Sequence, residues 1–186
     1  MARKAKTKNV ILGVSGSIAA YKAASVLRGL MSKGHDVQVV MTEAAQRLVT
    51  PATFRALSGR PVVTNLWIPE EQAGLVHVEL AEWADVLAIV PATANIIGKI
   101  TCGIADEVLS CTWMACDCAK VIAPAMNDRM WLSPAVQRNV AELKKLDGVH
   151  VIEPVEGTLA SGRIGAGHLA PVMDIVAKID SVAWGS

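Results

Sequence analysis

The sequence has almost no excess of charge and few aromatic side chains. Its 186 residues include 18 Lys and Arg against 17 Asp and Glu, a formal net charge of +1. Proteins that attract nucleic acid through their overall field are strongly basic, so we expect no nucleic-acid partner. Phe, Tyr and Trp together make up 4% of the residues. Aliphatic side chains must therefore fill the interior, which is typical of parallel sheets covered by helices.

Long apolar runs and paired metal-binding motifs are also missing. Pro, Gly, Asp or Glu interrupts every apolar stretch well before the roughly 18 residues that a membrane span needs, so no membrane association is expected. The four cysteines follow no recognisable signal peptide, which predicts reduced thiols in a cytoplasmic protein. Cys116 and Cys118 are separated by a single residue, a spacing that argues against a metal site.

A chain of this length has room for one domain, and we expect residues 1–186 to form a single unit. Residues 1–8 are basic without an apolar segment behind them, which predicts a disordered terminus. The remaining sequence shows no internal repeat, linker or low-complexity tract.

Apolar, β-branched runs alternate with helical patterns along the chain. Buried strands are predicted at residues 9–14, 36–41, 85–90, 120–123 and 149–152. Helices are predicted at residues 18–33, 76–84, 94–114 with a break near Gly103, 133–146 and 171–182. This alternation predicts a Rossmann-like α/β fold, an open and mostly parallel sheet with helices on both faces. Ligands of such sheets bind beyond the carboxyl ends of the strands, so the loops there should form the site.

The loop after the first strand, from Gly13 to Lys22, has the composition of a phosphate-binding turn. Gly16 and Ser17 precede a helix whose first backbone N–H groups and dipole would attract an anion. The dinucleotide fingerprint is incomplete, because Ala stands where its third Gly is expected. A plain turn with Ser17 as the helix N-cap explains the same residues.

Thr42 and Glu43 follow the second strand and allow three interpretations. An acid at this distance from the Gly turn could bind an adenosine ribose and would favour a nicotinamide nucleotide. Thr42 could equally cap a helix that has Glu43 in its first turn. A Thr at a strand end also suits the phosphate of a mononucleotide.

Two further loops contain residues that are hard to explain by packing. They are PATAN (Pro91 to Asn95) and PAMNDRMW (Pro124 to Trp131). Small residues at strand ends let a flat ring approach the backbone, and the Asn side chains can form hydrogen bonds without bringing charge. The Met and Trp side chains of the second loop would be exposed unless they line a pocket.

Together, GSIAAYK (residues 16–22), His77 ahead of a helix, PATAN and PAMNDRMW resemble the homo-oligomeric flavin-containing Cys decarboxylases. The resemblance extends from about residue 9 to residue 171 and is closest to the phosphopantothenoylcysteine decarboxylases. Without these motifs, His77 would be interpreted as a hydrogen-bonded residue at a helix terminus. His35 and His150 have no such motif beside them, and we expect a structural role for both.

The resemblance implies FMN as the cofactor. The residues implied to bind it are Gly16, Ser17 and Ile18 at the phosphate, and Thr42, Thr93, Ala94, Asn95 and Ala125 around the flavin. It implies a catalytic role for His77 and substrate contacts for Asn127, Met130 and Ala160. One phosphate-binding turn without a clear adenosine site agrees with a mononucleotide.

The implied reaction is the FMN-dependent decarboxylation of a cysteine carboxylate. The favoured substrate is 4′-phosphopantothenoylcysteine, converted to 4′-phosphopantetheine in coenzyme A biosynthesis. The alternative substrate is the C-terminal cysteine of a peptide, which would give an aminoenethiol. The resemblance also implies a homotrimer or homododecamer with the flavin between subunits, and a separate phosphopantothenoylcysteine synthetase as a candidate partner.

The Gly-rich segment 156–168 departs from the family pattern. In the coenzyme A enzymes a Cys protonates the enethiol, and Ser161 stands in its place here, with Arg163 where Asp is usual. A Ser hydroxyl is a far weaker acid than a thiol, so proton delivery should slow or stop. An engineered replacement, an enzyme that stops at the enethiol, and another proton donor such as His168 all stay open. The glycines predict either a hinged lid or an ordinary surface loop.

Two other function classes are weighed against this one. A non-catalytic, flavin-binding regulatory subunit would also explain the missing Cys. A flavin prenyltransferase or a nicotinamide enzyme of similar fold is disfavoured, because PAMNDRMW would have no role there and the fingerprint lacks its third Gly.

Overall fold

The chain begins with a strand, a helix and a second, parallel strand, as predicted. The computed structural model describes residues 7–67, 75–158 and 164–182. Strand β1 (Asn9–Val14) is buried from its second residue onward, as expected for a central strand covered on both faces. A 3₁₀ turn (Ile18–Tyr21) leads into helix α1 (Lys22–Ser32), and strand β2 (Asp36–Met41) follows. Gly34, with a φ of 88°, reverses the chain after α1, as the sequence predicts.

The other elements continue the alternation. In chain order they are α2 (Glu43–Gln46), α3 (Pro51–Ser58), α4 (Val76–Trp83), β3 (Val86–Ala92), α5 (Ala94–Thr101), α6 (Val108–Ala115), β4 (Ala119–Pro124), α7 (Asp128–Trp131), α8 (Pro134–Leu143), β5 (Val149–Val151), β6 (Val155–Thr158), β7 (Ile164–His168) and α9 (Val172–Ser181).

The five-stranded parallel sheet has the strand order β2-β1-β3-β4-β5. This confirms the predicted Rossmann-like α/β class, with one apolar core on each face of the sheet. The order reverses between β1 and β3, because the chain runs outward from β1 to β2 and then returns to the other side. Ligands of open parallel sheets bind at this switch point.

Several predicted boundaries are wrong. Strand β3 continues through Pro91 to Ala92, although we expected it to end before Pro91; a register shift against β4 between Ile89 and Ala92 accommodates the change. The helix predicted at residues 94–114 is two helices, since Glu107 caps a new one with its side chain. The predicted first helix starts as a 3₁₀ turn. Helix α3 and the antiparallel pair β6–β7 were not predicted.

Lys8, the last residue of the predicted disordered terminus, is hydrogen-bonded. Its ammonium donates to the carbonyl oxygens of Ile179, Asp180 and Val182 at the end of α9, at 3.3, 2.6 and 2.6 Å. Burial, the largest cause, lowers the pKa of Lys8, while Asp180 and Asp85 oppose the shift. The buried His35 ring accepts from the Lys8 backbone N–H at 3.2 Å, in agreement with a structural role.

Three further findings concern the described residues. Among the described residues no helix is long and apolar enough to span a bilayer. The same residues contain no cluster of His, Cys, Asp or Glu that could hold a metal ion. All four cysteines are free thiols in the structure.

Candidate functional site

Hydrogen bonds from Ser15 join the ends of β1 and β3 at the switch point. The buried Ser15 hydroxyl donates to the carbonyl oxygen of Pro91 at 2.7 Å and accepts from the Thr93 backbone N–H at 2.9 Å. Thr93 in turn caps α5, with its hydroxyl oxygen 3.3 Å from the Ile96 nitrogen. These bonds fix the two loops relative to each other and hold the beginning of α5 at the edge of the sheet.

The turn after β1 exposes backbone donors. Ser17 caps the 3₁₀ turn by accepting from the Ala19 N–H at 3.3 Å, as the capping interpretation predicts. Within the described part of the chain, the N–H groups of Gly16 and Ile18 have no hydrogen-bond acceptor. Gly16 also has a packing role, since a Cβ there would come within 2.5 Å of the Ala44 Cβ. The turn therefore lies tight against α2 with N–H groups left for an anion.

A cavity of about 430 Å³ opens over these loops. Its lining includes most of the residues implied to bind cofactor and substrate: Gly16, Ser17, Ile18, Thr93, Ala94, Ala125, Asn127 and Met130. Its other lining residues are Ala19, Tyr21, Lys22, Met126, Gly167, His168 and Leu169. The lining is mainly apolar, and none of these residues is an Asp or Glu.

One wall of the cavity is the contact between α7 and strand β7. The Met126 N–H donates to the carbonyl oxygen of Gly167 at 3.0 Å. Gly167 has a φ of 143°, and a Cβ there would come within 2.3 Å of the Met126 oxygen. Asn127 caps α7, its side-chain oxygen accepting from the Arg129 N–H at 2.9 Å. This bond leaves the N–H donors of the Asn127 amide for a ligand.

Some predicted site residues lie outside this lining. Thr42 caps α2, because its hydroxyl oxygen accepts from the Ala45 N–H at 3.2 Å. The Thr42 backbone N–H donates to the carbonyl oxygen of Val14 at 3.1 Å. Asn95 is exposed in the first turn of α5. Half-buried His77 lies in the first turn of α4 and does not line the cavity of its own chain. Ala160 and Ser161 lie outside the described residues.

The structure also gives contacts to Ser15 and Lys22, which the motifs did not assign, and pairs Lys22 with His168, considered above as a proton donor. Ser15 was not singled out, although a small hydroxyl side chain directly after a strand is the available signal. Lys22 Nζ lies 2.7 Å from His168 Nε2, and both side chains line the cavity. These two residues are 146 positions apart, so no local pattern could have paired them.

Comparison with known proteins identifies the family. The profile of the family described as Flavoprotein matches residues 1–183. The bifunctional coenzyme A biosynthesis protein CoaBC of Bacillus subtilis is 46% identical over 169 residues, which cover 91% of this chain and 41% of that protein. CoaBC of Vibrio vulnificus is 41% identical over 170 residues, covering 91% of this chain and 42% of its own length. The chain thus spans less than half the length of these curated relatives.

Solved structures show the same fold. The FMN-dependent cysteine decarboxylase SpaF superposes with a TM-score of 0.82 at 37% identity, covering 96% of this chain and 97% of SpaF. A cysteine-to-serine mutant of PPC decarboxylase, complexed with pantothenoylaminoethenethiol, also has a TM-score of 0.82, at 31% identity and with 94% and 97% of the two chains covered. From the profile match, the sequence identities and these superpositions together, we conclude that this chain belongs to the Flavoprotein family.

Proposed function

We propose that this protein is an FMN-dependent decarboxylase that removes the carboxylate of a cysteine as CO₂. The favoured substrate is 4′-phosphopantothenoylcysteine, in coenzyme A biosynthesis, and the alternative is the C-terminal cysteine of a peptide. The observation that carries the proposal is the cavity at the switch point, lined by the loops in which the family resemblance lies. Relatives named as coenzyme A biosynthesis proteins and FMN-dependent cysteine decarboxylases support it.

The donors of the cavity fit FMN. The N–H groups of Gly16 and Ile18, which have no acceptor among the described residues, suit the phosphate, which needs donors rather than a counter-carboxylate. Ala94, Ala125 and the apolar lining suit a flat ring, because small residues let it approach the backbone. A volume of about 430 Å³ lies within the range of cofactor pockets.

The chain's own residues would position the substrate and exclude water. When bound, FMN supplies the oxidation of the cysteine side chain that lets the carboxylate leave as CO₂. The amide N–H donors of Asn127, the N-cap of α7, would bind the substrate carboxylate near Met130 of that helix. The apolar lining would desolvate that carboxylate and so favour its loss. His77 would act as the base for the reacting cysteine.

The position of His77 supports a site shared between copies of the chain. His77 does not line the cavity of its own chain, whereas the cavity rim has exposed apolar side chains. Ile18 is 65% exposed, Tyr21 62% and Met130 48%. A second copy that covers this rim and brings its His77 to the flavin would account for both facts. We propose that these copies form a homotrimer, alone or assembled into a dodecamer, as the family resemblance implies.

Two further parts of the proposal rest on the comparisons and the cysteines. The CoaBC relatives are named as bifunctional proteins of coenzyme A biosynthesis, which supports a phosphopantothenoylcysteine synthetase as a partner activity. The four free cysteines support a reducing compartment, the cytoplasm.

Ser161 determines which product we expect. It replaces the Cys that would protonate the enethiol, and its hydroxyl is a weaker acid than a thiol. The cysteine-to-serine mutant of PPC decarboxylase was solved with pantothenoylaminoethenethiol, an enethiol. We therefore expect this chain to release CO₂ and accumulate an enethiol. The two electrons removed from the cysteine would stay with the flavin until it is reoxidised.

The first experiment is anaerobic incubation of the FMN-loaded protein with either substrate. We expect release of CO₂, bleaching of the yellow flavin, and a product lighter than the substrate by CO₂ and H₂. His77→Asn should bind FMN but release no CO₂, which is the matched control. Absence of CO₂ release with both substrates would contradict the proposed decarboxylase activity. Tight FMN binding without turnover would favour the regulatory subunit instead.

A further inference from the structure

A lysine and a histidine from distant parts of the chain meet in the wall of the cavity. Lys22 is the first residue of α1 and His168 the last residue of β7, and Lys22 Nζ is 2.7 Å from His168 Nε2. Both side chains line the cavity together with Asn127 and Met130. The contact therefore lies in the same cavity as the residues proposed to bind the substrate.

The direction of this hydrogen bond follows from the chemistry of the two groups. An ammonium has only donors, so Lys22 must donate and His168 Nε2 must accept. The neutral ring then carries its proton on Nδ1. Lys22 uses one of its three N–H bonds for His168 and keeps the other two for a ligand.

The charge of Lys22 has no carboxylate partner in the described parts of the chain. Several other lysines are paired with acids, as Lys33 is with Asp180 and Lys99 with Asp106. No ion pair of the described residues involves Lys22, and the cavity lining contains no Asp or Glu. An unpaired cation in a mainly apolar cavity is expected to attract an anionic ligand.

The position of His168 is fixed by its neighbours in the β6–β7 pair. A Cβ at Gly157 would come within 3.1 Å of His168 Cγ, so the imidazole packs on the backbone of Gly157. The preceding residue, Gly167, is held by the Met126 N–H at 3.0 Å. The Lys22 ammonium thus points at a rigid acceptor rather than at solvent, which reduces the entropy lost on binding a ligand.

We infer that Lys22 and His168 form a binding site for the phosphomonoester of the substrate. This inference rests on the proposed function and deepens it: the substrate would be a phosphorylated small molecule rather than a peptide. The two remaining N–H donors of Lys22, held in place by His168, suit the several acceptor oxygens of a phosphate. The turn at Gly16 to Ile18 is proposed above to bind the phosphate of FMN, so the second site is left for the substrate.

The test compares ligand pairs that differ only in a phosphate. Binding of 4′-phosphopantothenate and of pantothenate to the FMN-loaded protein is measured by calorimetry, because neither ligand contains a cysteine to decarboxylate. Lys22→Met should weaken binding of the phosphorylated ligand by roughly 10- to 100-fold, as expected for a lost hydrogen bond to a charged group, and leave pantothenate binding unchanged. His168→Leu should change the same ratio in the same direction by less.

Three controls accompany Lys22→Met. Lys22→Arg keeps a cationic donor and should retain most of the preference for the phosphorylated ligand. Lys145→Met removes a lysine outside the cavity lining, paired at the surface with Glu142, and should change neither affinity. Circular dichroism and gel filtration show that each variant keeps its fold and assembly.

A second arm distinguishes the two sources of phosphate. The affinities for FMN and riboflavin are compared by flavin fluorescence in the same variants, and their ratio should be unchanged by Lys22→Met. A changed FMN-to-riboflavin ratio with an unchanged substrate ratio would overturn the assignment to the substrate. An unchanged preference for 4′-phosphopantothenate would overturn the site altogether. Failure of the proposed function is read separately, as absence of CO₂ from the unmodified protein.

Discussion

The single side chain of Asp180 connects α9 to the end of α1. Its carboxylate accepts from Lys33 Nζ at 2.7 Å and from the buried His35 Nε2 at 3.0 Å. The hydrogen bond from Lys33 is the largest cause that lowers the pKa of Asp180, with a further hydrogen bond from His35. A lowered pKa in the folded state means that this stabilisation is present above the unfolded pKa and is lost as the pH falls through the folded pKa.

Asp180→Asn should lower the free energy of unfolding at pH 7 by about 1 kcal/mol, because Asp180 is partly exposed and its ion pair is partly screened. Below about pH 4 the two proteins should converge, since the wild-type carboxyl is then increasingly protonated. Urea unfolding at several pH values measures this difference. Glu142→Gln, in an exposed pair with Lys145, is the control and should change stability very little. A difference that does not depend on pH would contradict the prediction.

Site residues that directly follow a strand could be predicted from the sequence, whereas those brought together by packing between distant segments could not. Gly16, Ser17, Thr93 and Asn127 lie in loops directly after strands, so topology alone brings them to the switch point. Thr42 also follows a strand, but it faces the N-H groups of α2 as a cap and not the cavity. The Lys22–His168 contact joins residues 146 positions apart, and such a contact follows only from the packing of the β6–β7 pair.

At the scale of elements, the parallel strands were predicted and the antiparallel pair was not. Central parallel strands are apolar on both faces, so residues such as Val10 to Val14 form a continuous run that a sequence reveals. Strands β6 and β7 are rich in Gly and have no alternating pattern. They form against α7, where Gly165 packs beside Asp128 and Gly167 beside Met126. Their structure comes from contacts made by another part of the chain.

The packing of β7 on the segment before α7 can be tested with Gly167→Ala. The Cβ would lie 2.3 Å from the Met126 oxygen, so β7 has to move away from this wall of the cavity. We expect the free energy of unfolding to fall by about 3 kcal/mol or more in total. This exceeds the roughly 1–2 kcal/mol that a positive φ alone would cost. FMN affinity should fall as well, because His168 and Leu169 line the cavity. Thermal unfolding and flavin fluorescence measure the two effects.

Gly59→Ala is the matched control for this variant. Gly59 also has a positive φ, of 70°, but a Cβ there would meet nothing within 4 Å. It should therefore show the backbone cost alone, with unchanged FMN affinity. Equal losses in the two variants would mean that the contact between β7 and Met126 contributes nothing.

At the scale of the whole molecule, the proposed site is incomplete within a single chain. The cavity brings together the turn at Gly16 to Ile18, the PATAN and PAMNDRMW loops and strand β7, while His77 is absent from its lining. The fold predicts the first of these facts, since the carboxyl ends of parallel strands meet at one edge. The fold cannot predict that His77 is absent from the lining, because α3 lies between β2 and helix α4 in the chain and the position of α4 relative to another copy depends on assembly.

Mixed oligomers of two inactive variants distinguish a shared site from one within a chain. His77→Asn and Asn127→Ala should each be inactive alone. If each site takes Asn127 from one copy and His77 from another, co-expression in equal amounts should restore roughly a quarter of wild-type CO₂ release, because each residue is native in half of the chains. Wild type co-expressed with the double variant should then also give roughly a quarter, by the same reasoning. If both residues act within one chain, the first mixture would stay inactive and the second would retain about half of the activity.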